Sequence, residues 1–357
     1  MFVLALGHFY CALTVLILCT LTYFEVLRVT LRDHDFPFFQ AAYWLLFTAF
    51  ATLRPYIVDK LSRIPDTKYQ NLNVDNKLLQ FFIRILPRLD NYLAVLQYLL
   101  ITLGLLRSIF KIRTNQLKKE LKTLFFIFII CLTVVYQSIS HIKTIDKGLI
   151  WFTTSIASVA LNDTFAYLVG RQYGKTSLIN VSPNKTIEGF LGAAVLTPIF
   201  TLLVGEVLQR FKLFTCADLG FSPAIPLFHD VTQDCKVSSR FALQPIKILG
   251  LNLFYRHAWV DFIIFGLFAS FGAPLGGFLS SAIKRYFKIK DYSNTFPGHG
   301  GYSDRFDCQL IMAMFTWLYV RSITSAPSIP SLLRQINLLD NNEKSAFFTQ
   351  IGLNAEL

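Results

Sequence analysis

The amino-acid sequence predicts a polytopic, all-α membrane protein with about eight transmembrane helices. Of its 357 residues, 54% are hydrophobic and only 16% are charged. The mean hydropathy of +0.48 is well above that of soluble proteins. Several apolar runs reach the roughly 20 residues that a helix needs to cross a bilayer. A transmembrane β-barrel would instead show short segments of alternating hydrophobicity, which this sequence lacks.

Eight apolar segments are the predicted spans. In order along the chain they are Leu6–Leu27, Phe38–Leu53, Tyr92–Phe110, Leu121–Ile139, Leu149–Val169, Ile187–Leu208, Ala258–Ser280 and Cys308–Val320. The second and the last are short, so a partly interfacial position is the alternative for both. The first contains no Ala-x-Ala cleavage signal and no cation before Arg28, so we expect a retained span.

Composition divides the chain into three regions. Residues 1–135 hold the first spans with amphipathic and basic loops, residues 136–325 hold the polar motifs, and residues 326–357 are expected to form a small extramembrane tail. In the first region, Leu78–Leu86 has the pattern of an amphipathic surface helix. In the second region, residues 211–256 form a sizeable polar loop.

The net charge of +12 comes from cations that lie mainly in the loops between spans. This placement favours anionic lipid headgroups and a nucleotide, rather than nucleic acid, as partners. The loops 170–186 and 281–306 follow the fifth and seventh spans, so they share one side of the membrane with the loop 107–122. That loop is dense in Lys and Arg, which predicts that this side faces the cytoplasm.

The segment 281–307 contains five cations, three carboxylates and a Pro-Gly-His-Gly-Gly turn between two apolar segments. On a helix, Asp304 and Asp307 would share a face and could hold a hard cation against a phosphate. Glycine in the turn lets the backbone approach a ligand closely. The alternative is a solvated basic loop that only orients the protein. The candidate residues are Ser281, Lys284, Arg285, Lys290, Asp291, His299, Gly300, Gly301, Asp304, Arg305 and Asp307.

Asn162 and Asp163 lie inside the fifth predicted span. A carboxylate in a span is costly and needs a partner or a metal ion, which makes Asp163 a functional candidate. The alternative is a carboxylate near the span end that reaches the interface or pairs two helices.

A helix is predicted to begin at Ser182, with Ser182 as its N-cap and Pro183 as its first residue. The free N–H groups of its first turn, with Lys185 and Thr186, would form an anion site. The alternative is an ordinary helix start without a ligand.

Two smaller patterns also carry expectations. The glycines of residues 271–277 are expected to let a neighbouring helix pack closely, with a break in the span or a cavity wall as alternatives. Cys216 and Cys235 are the only cysteines in the loop 211–256. If this loop lies on an oxidising side of the membrane they could form a disulfide, and two free thiols are the alternative.

The motifs together resemble the signature of the phosphatidate cytidylyltransferases, also called CDP-diacylglycerol synthases. The family pattern runs Ser-x-apolar-Lys-Arg, Lys-Asp, Pro-Gly-His-Gly-Gly and Asp-Arg-apolar-Asp, and the segment 281–307 supplies each element. The resemblance extends to Asn162–Tyr167 and Ser182–Phe190, where Asn184 replaces a usual Lys. It covers about Tyr136 to Val320.

The resemblance implies that residues 136–325 transfer CMP from CTP to phosphatidate, with Mg²⁺ as cofactor, in the endoplasmic reticulum membrane. It implies that Asp163, Asp304 and Asp307 are the metal ligands. The implied catalytic residues are Asp304, Asp307, Lys284, Arg285 and Asp291. The implied substrate-binding residues are Ser281, Lys290, His299, Gly300, Gly301, Arg305, Ser182, Lys185, Thr186 and Asn162. The oligomeric state stays open, with a homodimer as one alternative.

The residue chemistry agrees with this reaction. A phosphomonoester is largely dianionic near neutral pH, so it can attack phosphorus without a dedicated base. The reaction then needs cations that stabilise the transferring phosphate. Two other classes stay open at this point: a transporter that couples Asp163 to ions, and a CTP-dependent lipid kinase that would release CDP.

Overall fold

The computed structural model of the chain describes residues 2–31, 38–62, 77–110, 117–179, 182–217, 237–248, 251–298 and 300–324. The helices are α1 (Phe2–Ala5), α2 (His8–Thr30), α3 (Phe38–Ser62), α4 (Lys77–Phe110), α5 (Leu117–Asp146), α6 (Leu149–Tyr173), α7 (Ile187–Leu208), α8 (Lys212–Thr215), α9 (His257–Phe271), α10 (Pro274–Tyr286) and α11 (Ser303–Thr324). Two antiparallel hairpins pair β1 (Ser177–Ile179) with β2 (Ser182–Thr186), and β3 (Gln244–Ile248) with β4 (Leu251–Tyr255).

Six helical segments in the described part of the chain are long and apolar enough to cross a membrane. They are His8–Thr30, Phe38–Val58, Leu89–Phe110, Leu117–Asp146, Ile187–Leu208 and His257–Tyr286. The prediction of a polytopic helical membrane protein is therefore confirmed. The other two predicted spans are present as α6 and α11, of 25 and 22 residues. Polar and charged residues lower the hydropathy of both helices.

The predicted seventh span is divided into α9 and α10. Pro274 is the first residue of α10, and Gly272 follows the last residue of α9. Proline suits the first turn of a helix but cannot continue a preceding one, which explains the break. The expected amphipathic helix at Leu78–Leu86 is also helical, and it continues into the third span as part of α4.

Chain contacts divide the molecule into two compact units, Met1–Trp317 and Leu318–Leu357. Of the second unit, the structure describes only the end of α11, so the predicted tail 326–357 lies outside the described residues. The functional boundary predicted between residues 135 and 136 stays a prediction.

The first unit has an apolar core between α2, α3, α5 and α6. Tyr23, Leu27, Ile127 and Leu149 are fully buried there. The hydroxyl of Tyr23 donates to the carbonyl of Ala41 at 3.0 Å, so its polar atom is satisfied inside the core. Burial of these side chains fixes α2 against the helices that follow it.

Helix α7 has one exposed apolar face and one buried face of small residues. Leu191, Val195, Ile199 and Leu203 recur every four residues, and each is more than half exposed. The opposite face carries small residues that are buried against α6 and α9, among them Gly189, Ala193, Thr197, Thr201 and Gly205. Small residues at a helix interface let two backbones approach closely.

Ion pairs and a hydrogen bond connect the segment between α8 and α9 to α7 and α9. Arg256 and Trp259 donate to the two carboxylate oxygens of Glu206, each at 2.8 Å. Arg240 binds Asp261 through two nitrogens, at 2.7 and 3.0 Å. Asp261 is almost completely buried, so its charge depends on this bidentate partner.

Cys216 is disulfide-bonded in the structure. The other described cysteines, Cys11, Cys19, Cys131 and Cys308, are buried thiols outside any disulfide. The predicted partner, Cys235, lies outside the described residues.

Cys216 follows α7 and the 287–302 loop follows α10. The α9–α10 segment between them is long and apolar enough for one membrane crossing, so we expect the two to lie on opposite sides of the membrane.

We expect peptide mapping under non-reducing conditions to find Cys216 joined to Cys235. The bridge would close about 20 residues and contribute roughly 3 kcal/mol to stability. Cys216→Ser should therefore lower the melting temperature, whereas Cys19→Ser should leave the mapped disulfide unchanged. Recovery of both loop thiols in alkylated form without reductant would contradict the bridge.

Candidate functional site

Helix α7 begins at Ile187, and Thr186 is its N-cap. The hydroxyl of Thr186 accepts the N–H of Gly189 at 3.2 Å. The carboxylate of Glu188 accepts the N–H of Lys175 and the hydroxyl of Thr176, at 3.1 and 2.7 Å. A carboxylate in the first turn also interacts favourably with the helix dipole.

The predicted helix start at Ser182 is therefore wrong. Ser182 to Thr186 form β2, paired with β1, with Ser177 opposite Thr186. Thr186 accepts a helix N–H and Glu188 accepts N–H groups of the preceding loop, and together these bonds outweigh the local preference for Ser-Pro. The hairpin places the half-buried Ser182 and Lys185 just before α7 rather than inside its first turn.

Close glycine contacts bring α7 against α6. A Cβ atom on Gly189 would lie 2.6 Å from the carbonyl oxygen of Ala166. A Cβ atom on Gly192 would lie 2.6 Å from the side chain of Val169. Real Cβ atoms do not approach so closely, so only glycine permits this packing. It places Lys185 beside the turn of α6 that carries Asn162 and Asp163.

A second pair of glycines brings α10 against α11. A Cβ atom on Gly276 would collide with the carbonyl oxygen of Asp307. A Cβ atom on Gly277 would lie 3.3 Å from Lys185 Nζ and 3.8 Å from Asp307 Oδ2. The expected packing role is confirmed for Gly276 and Gly277, where Lys185 and Asp307 come together, whereas the alternative of a break in the span holds at Gly272.

Four charged residues form what we call the Asp163 group: Asp163, Lys185, Arg305 and Asp307. Electrostatic interactions link Asp163 to the other three. Asp307 Oδ1 accepts the N–H of Cys308 at 2.7 Å, and Lys185 Nζ lies 4.7 Å from the ring centre of Phe278. Asp163 is exposed, so this group of two carboxylates and two cations is open to a ligand.

Three further residues form the Asp304 group: Lys284, Asp291 and Asp304. Lys284 Nζ lies 2.8 Å from Asp304 Oδ1, and the two side chains are only 12% and 5% exposed. Asp304 Oδ2 accepts the N–H groups of Tyr292 and Gly301, both at 2.9 Å. A Cβ atom on Gly300 would lie 2.8 Å from Asp304 and 3.3 Å from Asp291. Asp304 therefore organises the 287–302 loop that joins α10 to α11.

The three carboxylates predicted to share one metal ion are thus divided between two groups. In the part of the chain that the structure describes, no three His, Cys, Asp or Glu side chains lie close enough to hold a metal ion. Asp163 and Asp307 belong together, whereas Asp304 is occupied by Lys284 and by backbone donors. The physical reason is the burial of Lys284, whose charge requires a partner.

The 287–302 loop borders an open polar cavity of about 530 Å³, lined by Ile289, Lys290, Asp291, Asn294, Gly298 and Gly300. Gly298 and Gly300 have φ angles of 74° and 79°, a left-handed conformation that favours glycine. Phe296 donates its N–H to the carbonyl of Gly300 at 2.9 Å, which closes the turn. Burial raises the pKa of Tyr292 to about 12, so its hydroxyl stays protonated at physiological pH.

The remaining predicted residues lie around these groups. Ser281 is half-buried on α10, and Arg285 is exposed and donates to the carbonyl of Ile289 at 3.0 Å. Asn162 is buried, and its Oδ1 has no hydrogen-bond partner among the described residues. His299 lies outside the described residues.

One residue of the site was missed from the sequence. Glu25 on α2 is buried, and its carboxylate accepts hydrogen bonds from the 287–302 loop and the start of α11. The position of Glu25 inside an apolar span indicates a functional candidate, because an ionisable residue is costly there. Glu25 lies far in sequence from the other motifs, so no local pattern relates it to them.

The chain is similar in sequence to known cytidylyltransferases. A family model described as "Cytidylyltransferase family" matches residues 1–323. "Phosphatidate cytidylyltransferase 1" of Arabidopsis thaliana is 32% identical over 365 residues, which cover 98% of this chain and 83% of that protein. "Phosphatidate cytidylyltransferase" of Caenorhabditis elegans is 32% identical over 329 residues, covering 89% and 66%. "Phosphatidate cytidylyltransferase 2" of Homo sapiens is 36% identical over 249 residues, covering 66% and 55%.

The two carboxylates of α11 should respond differently to neutralisation. Asp304→Asn leaves the buried Lys284 without its charge partner, and we expect a loss of about 3 kcal/mol in stability. Asp307→Asn removes one of two like charges beside Lys185, so its stability should stay near that of the unmodified chain. Thermal unfolding of the two purified variants measures the difference. Equal melting temperatures for both would contradict the organising role of Asp304.

Proposed function

Because the chain belongs to the cytidylyltransferase family, we propose that it transfers CMP from CTP to phosphatidate, which forms CDP-diacylglycerol and pyrophosphate. The chain is a nucleotidyltransferase by its relatives. The observation that carries the proposal is the Asp163 group, where Lys185, Arg305 and two carboxylates meet at one end of apolar helices. Cations at such a position suit an anionic headgroup and a nucleotide phosphate together.

In the proposed reaction, an oxygen of the phosphatidate phosphate bonds to the α-phosphorus of CTP. The bond between the α-phosphorus and its bridging oxygen breaks, and pyrophosphate leaves with the electron pair. The attacking phosphate is largely dianionic and needs no proton acceptor. Lys185 and Arg305 then stabilise the negative charge that develops on the transferring and leaving phosphates.

The Asp163 group fits a magnesium ion. Mg²⁺ is usually held by one or two carboxylates together with substrate phosphates and waters, rather than by a complete set of protein ligands. Asp163 and Asp307 are two such carboxylates in one group. When bound, Mg²⁺ neutralises phosphate charge and polarises the reacting phosphoryl group. The two aspartates would hold it, and Lys185 limits their mutual repulsion.

The 287–302 loop is the proposed nucleotide contact. Its polar cavity is lined by Lys290 and Asp291 and by glycines whose backbone is accessible. The Asp304 group holds this loop in place through Lys284 and two backbone N–H groups. The lipid substrate would approach Asp163 from the bilayer, since Tyr167 and Leu168 beside it are exposed apolar surface.

We place the protein in the endoplasmic reticulum membrane with this site in the cytosol. Two observations support that orientation. Lys122, at the end of the cation-dense loop 107–122, lies 5.8 Å from the ring centre of Phe287 in the loop of the site. The disulfide-bonded Cys216 belongs to the opposite side, and disulfides persist in oxidising compartments such as the lumen. The family match favours neither an ion-coupled transporter nor a CTP-dependent lipid kinase.

The experiment that tests this function identifies the leaving group. Purified protein is incubated with CTP, Mg²⁺ and phosphatidate, and we expect pyrophosphate and CDP-diacylglycerol in equal amounts. Asp307→Asn should lower the rate by at least about 10² because the metal site loses a carboxylate. Release of CDP would indicate a lipid kinase, and an absence of nucleotide turnover would reject the transferase.

A second measurement tests whether Lys185 belongs to the site. Lys185→Ala should lower kcat/KM by roughly 10²–10³, since a charge-assisted contact to a developing phosphate charge is lost. Lys118→Ala, an exposed cation at the start of α5, is the matched control and should stay near the unmodified rate. Equal small effects of the two substitutions would remove the segment before α7 from the site.

A further inference from the structure

Glu25 is a buried carboxylate in the first long helix of the chain. Only 9% of the residue is exposed, although it lies near the end of an apolar span. A carboxylate at such a position is costly unless hydrogen bonds or a cation compensate it. Among the described residues, no Lys or Arg side chain forms an ion pair with Glu25.

Hydrogen-bond donors from the other end of the sequence surround this carboxylate. The N–H of Ser303 donates to Glu25 Oε2 at 2.6 Å, and the N–H of Tyr302 donates to Oε1 at 3.2 Å. The hydroxyl of Ser293 also donates to Oε1. A Cβ atom on Gly301 would collide with Oε1, so the backbone approaches the carboxylate as closely as glycine permits.

The backbone donors that bind Glu25 lie at the N-terminus of α11, where helix N–H groups lack partners within the helix. Ser303 is the first residue of α11, so its N–H is one of the groups that the helix cannot satisfy itself. A negative charge at this end also interacts favourably with the helix dipole. The same first turns of α11 carry Asp304, Arg305 and Asp307.

Glu25 and Asp304 together accept the three backbone N–H groups of residues 301–303. Asp304 accepts the N–H of Gly301, and Glu25 accepts those of Tyr302 and Ser303. Asp304 also accepts the N–H of Tyr292, and Glu25 the hydroxyl of the next residue, Ser293. Two carboxylates from distant parts of the chain thus hold the loop on both sides of Asn294, Gly298 and Gly300, which line the polar cavity.

We propose that Glu25 is a positioning residue, which holds the 287–302 loop and the start of α11 in the geometry needed to bind CTP and its metal ion. The proposal rests on the proposed function for its kinetic consequence, but not for the contact itself. Glu25 acts through the backbone of residues 301–303 and does not touch the reacting atoms. The first span of the chain is therefore part of the catalytic structure.

Hydrogen exchange in the full-length protein without substrates tests the contact directly. In Glu25→Gln, we expect the amides of Tyr302 and Ser303 to exchange about tenfold faster, because a neutral acceptor binds them less strongly. Ser293→Ala removes one donor, should cause a smaller increase, and provides a second variant if Glu25→Gln does not fold. Unchanged exchange of these amides in both variants would overturn the proposal.

Kinetics then separate positioning from general destabilisation. Glu25→Gln should raise the KM for CTP and the Mg²⁺ concentration at half-maximal rate about tenfold each, and Glu25→Asp should restore part of both. Glu206→Gln is the matched control, because Glu206 is also a carboxylate at a span end but pairs with Arg256 and Trp259. Glu206→Gln should lower the melting temperature without raising the KM for CTP or the Mg²⁺ concentration at half-maximal rate.

The outcomes distinguish the two proposals. If the unmodified protein releases no pyrophosphate, the proposed function fails while hydrogen exchange still decides the role of Glu25. If Glu206→Gln accelerates exchange in residues 290–303 as much as Glu25→Gln, the effect is general loss of stability and the positioning role is rejected. A change in kcat alone, with both half-saturation constants unaltered, would also reject it.

Discussion

The energetic cost of placing charge at the edge of a bilayer governs the arrangement of this protein. Charged side chains near the hydrocarbon region require a partner of opposite charge or a set of hydrogen-bond donors. Lys284 and Asp304 satisfy each other at the site, and Glu206 with Arg256 does so at the other end of the helices. Asp261 is compensated by Arg240 in the same way.

The Asp163 group is more open than these pairs. Its two carboxylates and two cations are close together, yet Asp163 is exposed and Asn162 keeps a buried oxygen without a partner among the described residues. A structural ion pair would be more buried and more fully hydrogen-bonded, as the Asp304 group is. The contrast between the two groups distinguishes residues that hold the loop in place from residues that we propose contact the substrate.

Close backbone packing makes this arrangement possible. Gly189 and Gly192 bring α7 onto α6, and Gly276 and Gly277 bring α10 onto α11. Larger side chains at these four positions would separate the helices and move Lys185 away from Asp307. Helix association in membranes relies on such packing because lipid supplies little hydrophobic driving force between helices. The glycines therefore affect the chemistry of the site, because they determine how close Lys185 and Asp307 can lie.

Hydropathy and local motifs were sufficient to determine the helical membrane architecture, the family resemblance and most of the residues around the site. These properties depend on the composition of continuous segments and on residues close together in sequence. The beginning of α7 was wrong in the sequence-based prediction, because Thr186 and Glu188 satisfy N–H groups that become available only once the β1–β2 hairpin forms.

Only the tertiary structure decided which charges meet. It paired Asp304 with Lys284, grouped Asp307 with Asp163, and brought Glu25 to residues more than 260 positions later in the chain. The physical reason is that each partner is selected by helix packing and by the cost of leaving a buried charge or a helix terminus unsatisfied. Those contributions depend on distances between segments, which a linear motif does not contain.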